Sequence, residues 1–537
     1  MDETPVLISG GGLVGLSAAM FLAQHGVAAL VVEKLKAPSP LPRAAFFHMR
    51  TLELFRQAGI EDAVREQSAR EFTPDGAVVA VESLAGRQIA SFIPTLNEGV
   101  EEVSPCRRLF VSQPGLEPIL RRRAEVGGAR VLGGHELISA AEDGDRVTAV
   151  LRDVETGETR PVRAKYLIGA EGGRSFLRDH LGIAMNGHGV FSNSVTIYFK
   201  ADLSKHVIGR DMSVIYVINP ALSGFFRFEK DGKRGFLAIN VVGDPVAHPE
   251  AAANVTADMS EPRLIELVRA ATGVPDLKIE IEGVMRWRCA ADLAAAYQRG
   301  RIFLAGDAVH LMPPTGGFGG NTGVHDAHNL AWKLALVLKG LAGPQLLDTY
   351  EMERRPVGHF TVEQAYARYV TRTAQYLRAT DYQPIAHDFD IELGYLYRSA
   401  AVLTEPDSLE GHEDPRQSFG RPGSRAPHLW LERDGRRLST LDLFGDGFTL
   451  LAGSNGAEWI SAAREVATAL RLPLIAHAIG SDGLSDRDGK VESGFGIGPA
   501  GASLVRPDGF VAWRTRSGPD SNSAQRLRGA LDAVVAR

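Results

Sequence analysis

PVLISGGGLVGLSAAMFLAQHGVAALVVEK, from Pro5 to Lys34, predicts a buried strand, a glycine turn, a helix and a second buried strand. Gly10, Gly12 and Gly15 form G-x-G-x-x-G directly after the first strand. In a βαβ unit such glycines allow the tight turn, the approach of a pyrophosphate to the backbone and the packing of helix on strand. The free N–H groups at the helix start favour phosphate. The stretch therefore predicts a dinucleotide-binding site.

An acidic residue ends the second strand of this unit. Glu33 follows Gly15 by 18 residues, which suits a carboxylate that accepts hydrogen bonds from the adenosine ribose. A carboxylate favours an unphosphorylated ribose, so FAD or NAD is preferred over NADP. Leu13 and Val14 at the helix start, and Lys34 beside Glu33, complete the predicted contacts.

A second glycine-rich junction lies far along the chain, in IFLAGDAVHLMPPTGGFGGNTGVHDAHNLAWKL (302–334). Asp307 follows a strand and can hydrogen-bond a ribityl chain. The bare backbone after it leads into a helix expected to begin near Gly320, whose dipole favours anionic character on a flat ring. Two such sites predict the two ends of one FAD. The predicted contacts here are Asp307, Pro314, Gly317, Gly319, Gly320 and Asn321.

Three ordered motifs resemble those of the class A flavoprotein aromatic hydroxylases, the para-hydroxybenzoate and phenol hydroxylase superfamily. They are GGGLVG with Glu33, YLIGAEGGRSFLRDHLGI (166–183) and the 302–334 stretch. The resemblance implies that Arg43, Gln113 and Asp307 contact FAD, and that the middle motif serves both FAD and NAD(P)H. Glu171 stands where the family usually has Asp, which predicts a rearranged turn or hydrogen bond.

The resemblance also implies the chemistry. NAD(P)H reduces FAD, and reduced flavin takes up O2 to give a C4a-hydroperoxide that hydroxylates an electron-rich aromatic substrate. The C-terminal sequence is most similar to hydroxylases of polycyclic aromatic polyketides. Alternatives that stay open are Baeyer–Villiger oxidation, oxidative rearrangement, antibiotic inactivation, simple phenol hydroxylation and a non-enzymatic flavin-fold binding protein.

Substrate and catalytic residues are expected in two regions. Residues 185–285 alternate apolar and polar positions, which indicates an antiparallel sheet with one covered face. In the family such a sheet covers the substrate. The predicted substrate contacts are Tyr216, Phe226, Phe228, Asn240, Tyr395 and Tyr397, and the predicted catalytic residues are His48, Tyr216 and Arg398.

The predicted fold is α/β, or more fully a multidomain α+β chain. A Rossmann-like FAD-binding domain of the para-hydroxybenzoate hydroxylase type spans 1–184 and 286–404, with a helical end, and the substrate sheet spans 185–285. A polar, Pro- and Gly-rich stretch predicts a linker at 405–427. The order βαβ–ββ–α over 428–537 resembles a thioredoxin-like domain, but it contains no cysteine and therefore has no dithiol chemistry.

Composition and charge exclude several classes of protein. A net charge of −6 and a pI near 6.2 argue against a nucleic-acid partner. No apolar run reaches the roughly 18 residues of a membrane span. With two cysteines, and a first strand that starts too early to follow a signal peptide, a cytoplasmic protein is expected. No metal site and no nucleophile elbow are predicted, and a homodimer is the base-rate expectation.

Overall fold

The computed structural model describes residues 2–38, 45–244, 248, 250, 252, 254–406, 411–481 and 483–537. The strands are β1 (Asp2–Ser9), β2 (Ala29–Glu33), β3 (Phe46–Phe47), β4 (Ala77–Val81), β5 (Gln88–Ile93), β6 (Leu109–Phe110), β7 (Arg130–Gly133), β8 (His135–Asp143), β9 (Arg146–Asp153), β10 (Thr159–Gly169), β11 (Met185–Lys200), β12 (Met212–Asn219), β13 (Leu222–Phe228), β14 (Arg234–Val242), β15 (Glu280–Ala294), β16 (Gln298–Arg299), β17 (Ile302–Leu304), β18 (His310–Leu311), β19 (Trp430–Arg433), β20 (Arg436–Ser439), β21 (Phe448–Ala452), β22 (Leu474–Ala478), β23 (Leu484–Ser485), β24 (Ala502–Val505) and β25 (Val511–Thr515). The α-helices are α1 (Leu13–Gln24), α2 (Met49–Gln57), α3 (Glu61–Glu71), α4 (Gln113–Val126), α5 (Phe176–His180), α6 (Ser204–Val207), α7 (Glu261–Thr272), α8 (Phe318–Leu338), α9 (Thr349–Arg368), α10 (Asp388–Glu392), α11 (Glu458–Leu470), α12 (Val491–Gly494) and α13 (Ser523–Val534).

The N-terminal βαβ unit lies at the centre of the first sheet. Its strand order is β16-β17-β10-β1-β2-β7, and β1 runs parallel to both β10 and β2. Helix α1 is buried along almost its whole length and packs against α4 and α8. The helix ends at Gln24, and Gly26 in the turn that leads to β2 takes a φ of +68°, which glycine adopts without strain. The strand, turn, helix and strand predicted from the sequence are all present.

The second sheet is mixed: its strands from the predicted region pair antiparallel with one another, as expected, and a strand from elsewhere in the chain adds a parallel pair. Its order is β18-β15-β11-β14-β13-β12-β4-β5, and β12 pairs with β4 in parallel. Strands β4 and β5 come from the first 100 residues of the chain, outside the predicted 185–285. Local alternation identifies a strand but not its distant partner, so the added edge was invisible in the sequence.

The C-terminal sheet has the order β22-β21-β24-β25, with β21 and β22 parallel and the other pairs antiparallel. Helices α11 and α13 pack against each other and bury Trp459 completely. This arrangement matches the predicted βαβ–ββ–α order. The α/β fold class with an additional C-terminal domain is therefore confirmed.

The stretch predicted as a linker, 405–427, is firmly packed over part of its length. Arg425 is buried and donates hydrogen bonds to Glu53 of α2, at 2.9 Å from Nε and 2.5 Å from Nη2. It also donates to the Val103 carbonyl at 2.8 Å. Polar composition suggested solvent exposure, but the partner carboxylate lies far away in the sequence. Residues 407–410 of this stretch lie outside the described residues.

The ion pairs of Glu53 predict how the stability of the protein depends on pH in the acid range. Burial alone would raise the pKa of this carboxyl, but the guanidiniums of Arg425 and Arg50 lower it to about 2. Because the folded pKa lies below the unfolded value of 4.5, this stabilisation is present above pH 4.5 and is lost as pH falls towards 2. Glu53→Gln leaves two buried cations without their charge partner and should cost ~3–5 kcal/mol in urea unfolding at neutral pH.

The control is Glu136→Gln, which breaks an exposed pair with Arg152 and should cost under ~1 kcal/mol. The Glu53→Gln variant should also lose part of the acid dependence between pH 4.5 and 2. Equal stability losses in the two variants would contradict the assignment of Glu53 as a buried anchor.

Candidate active site

One cavity of about 1600 Å³ runs from the glycine turn after β1, past Asp307, to one face of the second sheet. It brings together most of the residues predicted to bind FAD. Those that line it are Gly10, Gly12, Leu13, Val14, Glu33, Lys34, Gln113, Asp307, Pro314, Gly317, Gly319 and Gly320. Arg43, also predicted to contact FAD, lies outside the described residues.

The glycines of the first turn have different reasons to be glycine. A Cβ on Gly10 would lie 2.2 Å from the Ala170 carbonyl oxygen, and one on Gly15 would lie 1.8 Å from the Gly10 carbonyl oxygen. Packing within the protein therefore requires these two. Gly15 does not line the cavity, so its role is to let α1 approach β1. On Gly12 the nearest protein atom would be 3.7 Å away, so the fold itself does not require glycine there.

Glu33 is held in place at the end of β2. One oxygen accepts from the Gly11 N–H at 2.8 Å and the other from the Leu35 N–H at 2.9 Å. A carboxylate has about four acceptor sites, so two remain for ribose hydroxyls. Helix α1 has no side-chain cap, so its first N–H groups are available to a phosphate.

Asp307 is positioned by a fully buried ionic cluster behind it. The Gly306 N–H donates to Asp326 at 3.1 Å, and the Arg354 Nε donates to the other Asp326 oxygen at 2.8 Å. His310 Nε2 lies 2.8 Å from Asp326 as well. Burial raises the pKa of Asp326, but Arg354 and His310 outweigh it and lower the pKa overall. The ionised Asp326 therefore fixes the backbone that carries Asp307.

The backbone before α8 is open towards the cavity. Gly316 and Gly317 have φ of +88° and +70°, and the helix begins at Phe318 rather than near Gly320. Gly317 caps the helix without a side-chain bond. A Cβ on Gly319 would lie 3.6 Å from the nearest protein atom, so this position is bare without a packing reason. Uncapped N–H groups and bare backbone at both ends of one cavity fit FAD.

Asn321 and His48 lie behind this loop, which corrects two predictions. Neither lines the cavity. Asn321 Nδ2 donates to the carbonyls of Phe46 and Gly317 at 2.9 and 2.7 Å, so it positions the loop. His48 Nε2 lies 2.9 Å from the Gly316 oxygen, and burial lowers its pKa. His48 is buried against the loop backbone and lies outside the lining of the cavity.

The face of the second sheet that meets the cavity is aromatic. Cross-strand pairing places Tyr216 opposite Phe225, and Arg227 opposite Phe236, and all four line the cavity. Asn240 lines it as well, as predicted. Thr196, Tyr198, Trp287 and Arg372 also line the cavity.

Phe226 and Phe228, predicted as substrate contacts, lie on the opposite face of β13. They pack in the core with Leu264 and Leu267 of α7. Successive side chains of a strand point to opposite faces, so the choice of parity decides which residues reach the substrate. The cavity-lining residues of β13 that the sequence analysis did not select are Phe225 and Arg227. Alternation along the strand separates its two faces but does not say which face meets the cavity.

Tyr395, Tyr397 and Arg398 do not line the cavity either. Tyr397 is buried, stacks on Phe510 at 4.0 Å and accepts a hydrogen bond from Arg354 Nη1 at 3.1 Å. These tyrosines fill the junction with the C-terminal domain. Aromatic residues beside an arginine are found both at domain interfaces and in substrate pockets. The sequence alone therefore does not show which of the two Tyr395, Tyr397 and Arg398 form.

Glu171, the departure in the middle motif, is satisfied locally. Its Oε1 accepts from the Ser9 hydroxyl at 2.6 Å, and its Oε2 accepts from the Ser175 hydroxyl and the Leu177 N–H at 2.8 Å each. The carboxylate thus joins the end of β1 to the start of α5 at the cavity wall.

The fold and the cavity define an FAD-dependent flavoprotein of the aromatic-ring hydroxylase type. Residues 3–365 match the FAD binding domain family, and residues 420–537 match the aromatic-ring hydroxylase C-terminal family. The chain belongs to the class A flavoprotein aromatic hydroxylases, and its cofactor is FAD. In the described ranges no helix is both long enough and apolar enough to cross a membrane.

Individual relatives cover the whole chain. It is 50% identical to a 4-methyl-5-nitrocatechol 5-monooxygenase of Burkholderia sp, with 100% of this chain and 98% of the relative covered. It is 41% identical to aklavinone 12-hydroxylase of Streptomyces purpurascens, with 100% and 99% covered. The crystal structure of aklavinone-11 hydroxylase with FAD and aklavinone superposes with a TM-score of 0.93 at 40% identity, over all of both chains.

Gly12→Ala tests the assignment of the bare backbone to FAD. A methyl group there has room in the protein but would obstruct a phosphate, so FAD should bind about 10- to 100-fold more weakly, the equivalent of one or two lost charged hydrogen bonds. The measurement is FAD titration of the apoprotein by flavin fluorescence. The melting temperature of the apoprotein should not fall.

Gly10→Ala is the matched comparison, because its Cβ would collide with the Ala170 carbonyl and should destabilise the apoprotein itself. Unchanged FAD affinity in Gly12→Ala would show that the turn does not receive the cofactor.

Proposed function

We propose that this chain is an NAD(P)H- and O2-dependent monooxygenase that hydroxylates an electron-rich phenol. The observation that carries the proposal is a single cavity that joins the Asp307 loop to the aromatic sheet face bearing Tyr216. Typical single-ligand pockets measure roughly 300–1000 Å³, so a cavity of about 1600 Å³ leaves space for an aromatic substrate beside the cofactor.

FAD, when bound, supplies electron transfer from NAD(P)H and the activation of O2. The backbone around Gly12 and the N-terminus of α1 would hold its phosphates, while Asp307 and the N-terminus of α8 would hold its flavin end. The aromatic side chains of the sheet would orient the substrate ring and exclude water during oxygen transfer.

Tyr216 is proposed to contact the phenolic oxygen of the substrate. It faces the cavity opposite Phe225. Burial raises its pKa, although the nearby Arg372 acts in the opposite direction. Its hydroxyl therefore stays protonated at neutral pH and donates a hydrogen bond to an ionised phenol. Such a bond orients the ring and stabilises the negative charge that makes it reactive.

The proposed substrate is a small acidic phenol of the catechol type. The relative at 50% identity acts on 4-methyl-5-nitrocatechol, whereas the aklavinone hydroxylase is 41% identical. A polycyclic polyketide phenol, preferred from the sequence, is kept as the second candidate because of the full-length structural match to an aklavinone complex. Ring insertion and hydroxylation both add one oxygen, so product NMR is needed to distinguish them.

Anaerobic reduction of the purified flavoprotein tests the proposed function. NADPH or NADH should bleach the visible flavin band faster in the presence of a nitrocatechol or an anthraquinone-type phenol than without ligand. Admission of ¹⁸O2 should then place one labelled oxygen on the ring. Bleaching that no aromatic ligand accelerates, with peroxide as the only product, would contradict the monooxygenase proposal.

Tyr216→Phe tests the proposed contact with the phenolic oxygen. Turnover should fall about 100-fold, in the range of proton-handling effects, and the Kd for the ionised phenol should rise about 10-fold, because one charge-assisted hydrogen bond is lost. The pH profile of turnover should shift as well, because the ionised phenol loses a donor. Tyr198→Phe is the matched control, because Tyr198 lines the same cavity from β11, which β14 and β13 separate from β12; this variant should retain most activity. Equal losses in both variants would contradict a specific role for Tyr216.

A further inference from the structure

Arg227 is a buried cation without a counter-charge at the wall of the cavity. Its side chain is 5% exposed, and its Nε and Nη2 have no hydrogen-bond acceptor among the described residues. It lines the same cavity as Tyr216. The other buried arginines of the described residues each have a carboxylate partner: Arg50, Arg108, Arg178, Arg354, Arg368, Arg425 and Arg506. Arg227 is therefore unlike them.

Two aromatic rings fix the guanidinium of Arg227. It lies 4.0 Å from the centroid of Phe72 and 3.9 Å from that of Phe110. Phe110 stacks on Phe46 at 4.7 Å, and Phe46 lies directly against Gly317 of the flavin loop. A continuous stack thus connects Arg227 to the loop before α8. The cation is held by ring faces, and the N–H donors of Nε and Nη2 have no acceptor among the described residues.

Nearby acids do not neutralise this cation. Burial lowers the pKa of Arg227 to about 9, and Glu71 only partly opposes the effect. The Glu71 carboxylate is itself engaged, since it accepts from the Ser112 N–H at 2.6 Å and from Gln67 Nε2 at 2.7 Å. Burying an unpaired charge is costly, so a fold that retains one at a cavity wall has a use for it there.

We infer that Arg227 is a substrate-binding residue that receives the ionised form of a phenol carrying two neighbouring oxygens, such as a catecholate monoanion. The inference rests on the proposed function and specifies its substrate. A guanidinium presents paired N–H donors in one plane, and a catecholate presents two oxygens in the matching plane. Ionisation also makes the ring electron-rich, so the form that Arg227 selects is the form that accepts oxygen.

Neither end of FAD provides a better partner for Arg227. The phosphates of FAD would be bound by the turn at Gly12, and the negative charge on the flavin would be stabilised by the N-terminus of α8, after Gly317. Arg227 instead lies on β13, opposite Phe236 of the aromatic sheet face. This position places it with the substrate contacts, and the test measures FAD affinity separately.

The experiment compares holoenzyme Arg227→Met with wild type, using 4-nitrocatechol above its first phenol pKa and the neutral 1,2-dimethoxy-4-nitrobenzene. Binding is followed by the perturbation of the visible flavin spectrum. Arg227→Met should bind the catecholate about 10- to 100-fold more weakly, the loss of one or two charge-assisted hydrogen bonds. Its affinity for the neutral ether and for FAD should stay within about twofold. Its melting temperature should be equal or higher, because an unpaired buried charge is removed.

Two further variants sharpen the test. Arg227→Lys keeps the charge without the planar pair of donors and should retain only part of the affinity. Arg234→Met removes an exposed arginine of the same sheet, paired with Glu282 outside the cavity, and should change neither Kd.

Three outcomes would overturn the inference. They are unchanged catecholate affinity in Arg227→Met, equal losses for both probes together with a lower melting temperature, and a loss of FAD affinity. If the wild type binds neither probe yet oxygenates another phenol, the inference fails and the proposed function stands. If the wild type shows no ligand-accelerated reduction and no oxygenated product, both fail.

Discussion

Glu353 is the buried charge on which the assembly of this protein depends. Its carboxylate accepts hydrogen bonds from Lys333 Nζ at 2.7 Å, from Asn329 Nδ2 at 2.7 Å and from both Nη atoms of Arg506 at 2.6 and 2.9 Å. Burial disfavours the charged carboxylate, but Arg506 and Lys333 outweigh it, so the pKa of Glu353 is strongly lowered. Lys333 and Asn329 lie on α8, the helix that begins at the flavin loop. The C-terminal domain, through Arg506, therefore helps to hold the helix on which the cofactor site is built.

Arg354, which follows Glu353 on α9, extends this connection into the FAD site. Arg354 bonds to Asp326, which holds the Gly306 N–H immediately before Asp307. Breaking one partner of such buried pairs typically costs ~3–5 kcal/mol, because the remaining charge stays in the interior. A cysteine-free C-terminal domain thus has a clear physical use: it supplies a cation, through Arg506, to the core behind the flavin loop.

The buried arginines fall into two groups: those paired with a carboxylate of the chain, and Arg227 at the cavity wall, which has no such partner among the described residues. Buried arginines such as Arg50 and Arg425 are neutralised by carboxylates of the chain itself, and their role is to join segments. Arg227 has ring faces instead of a carboxylate. The paired arginines therefore stabilise the fold, whereas the unpaired Arg227 belongs to the part of the cavity that is proposed to bind the substrate.

Short-range patterns in the sequence determined the FAD site. The FAD site could be located from two separate stretches of sequence, one with the turn at Gly10–Gly15 and Glu33, the other with the Asp307 loop. Within each stretch the strand, glycine and helix signals lie within about 30 residues of one another, as in a βαβ unit. Only the tertiary structure decided the rest: that β13 points Phe225 and Arg227, not Phe226 and Phe228, at the cavity, and that Tyr397 belongs to a domain junction. Strand parity, edge pairing and the burial of a histidine depend on distant partners, and sequence spacing carries no information about those.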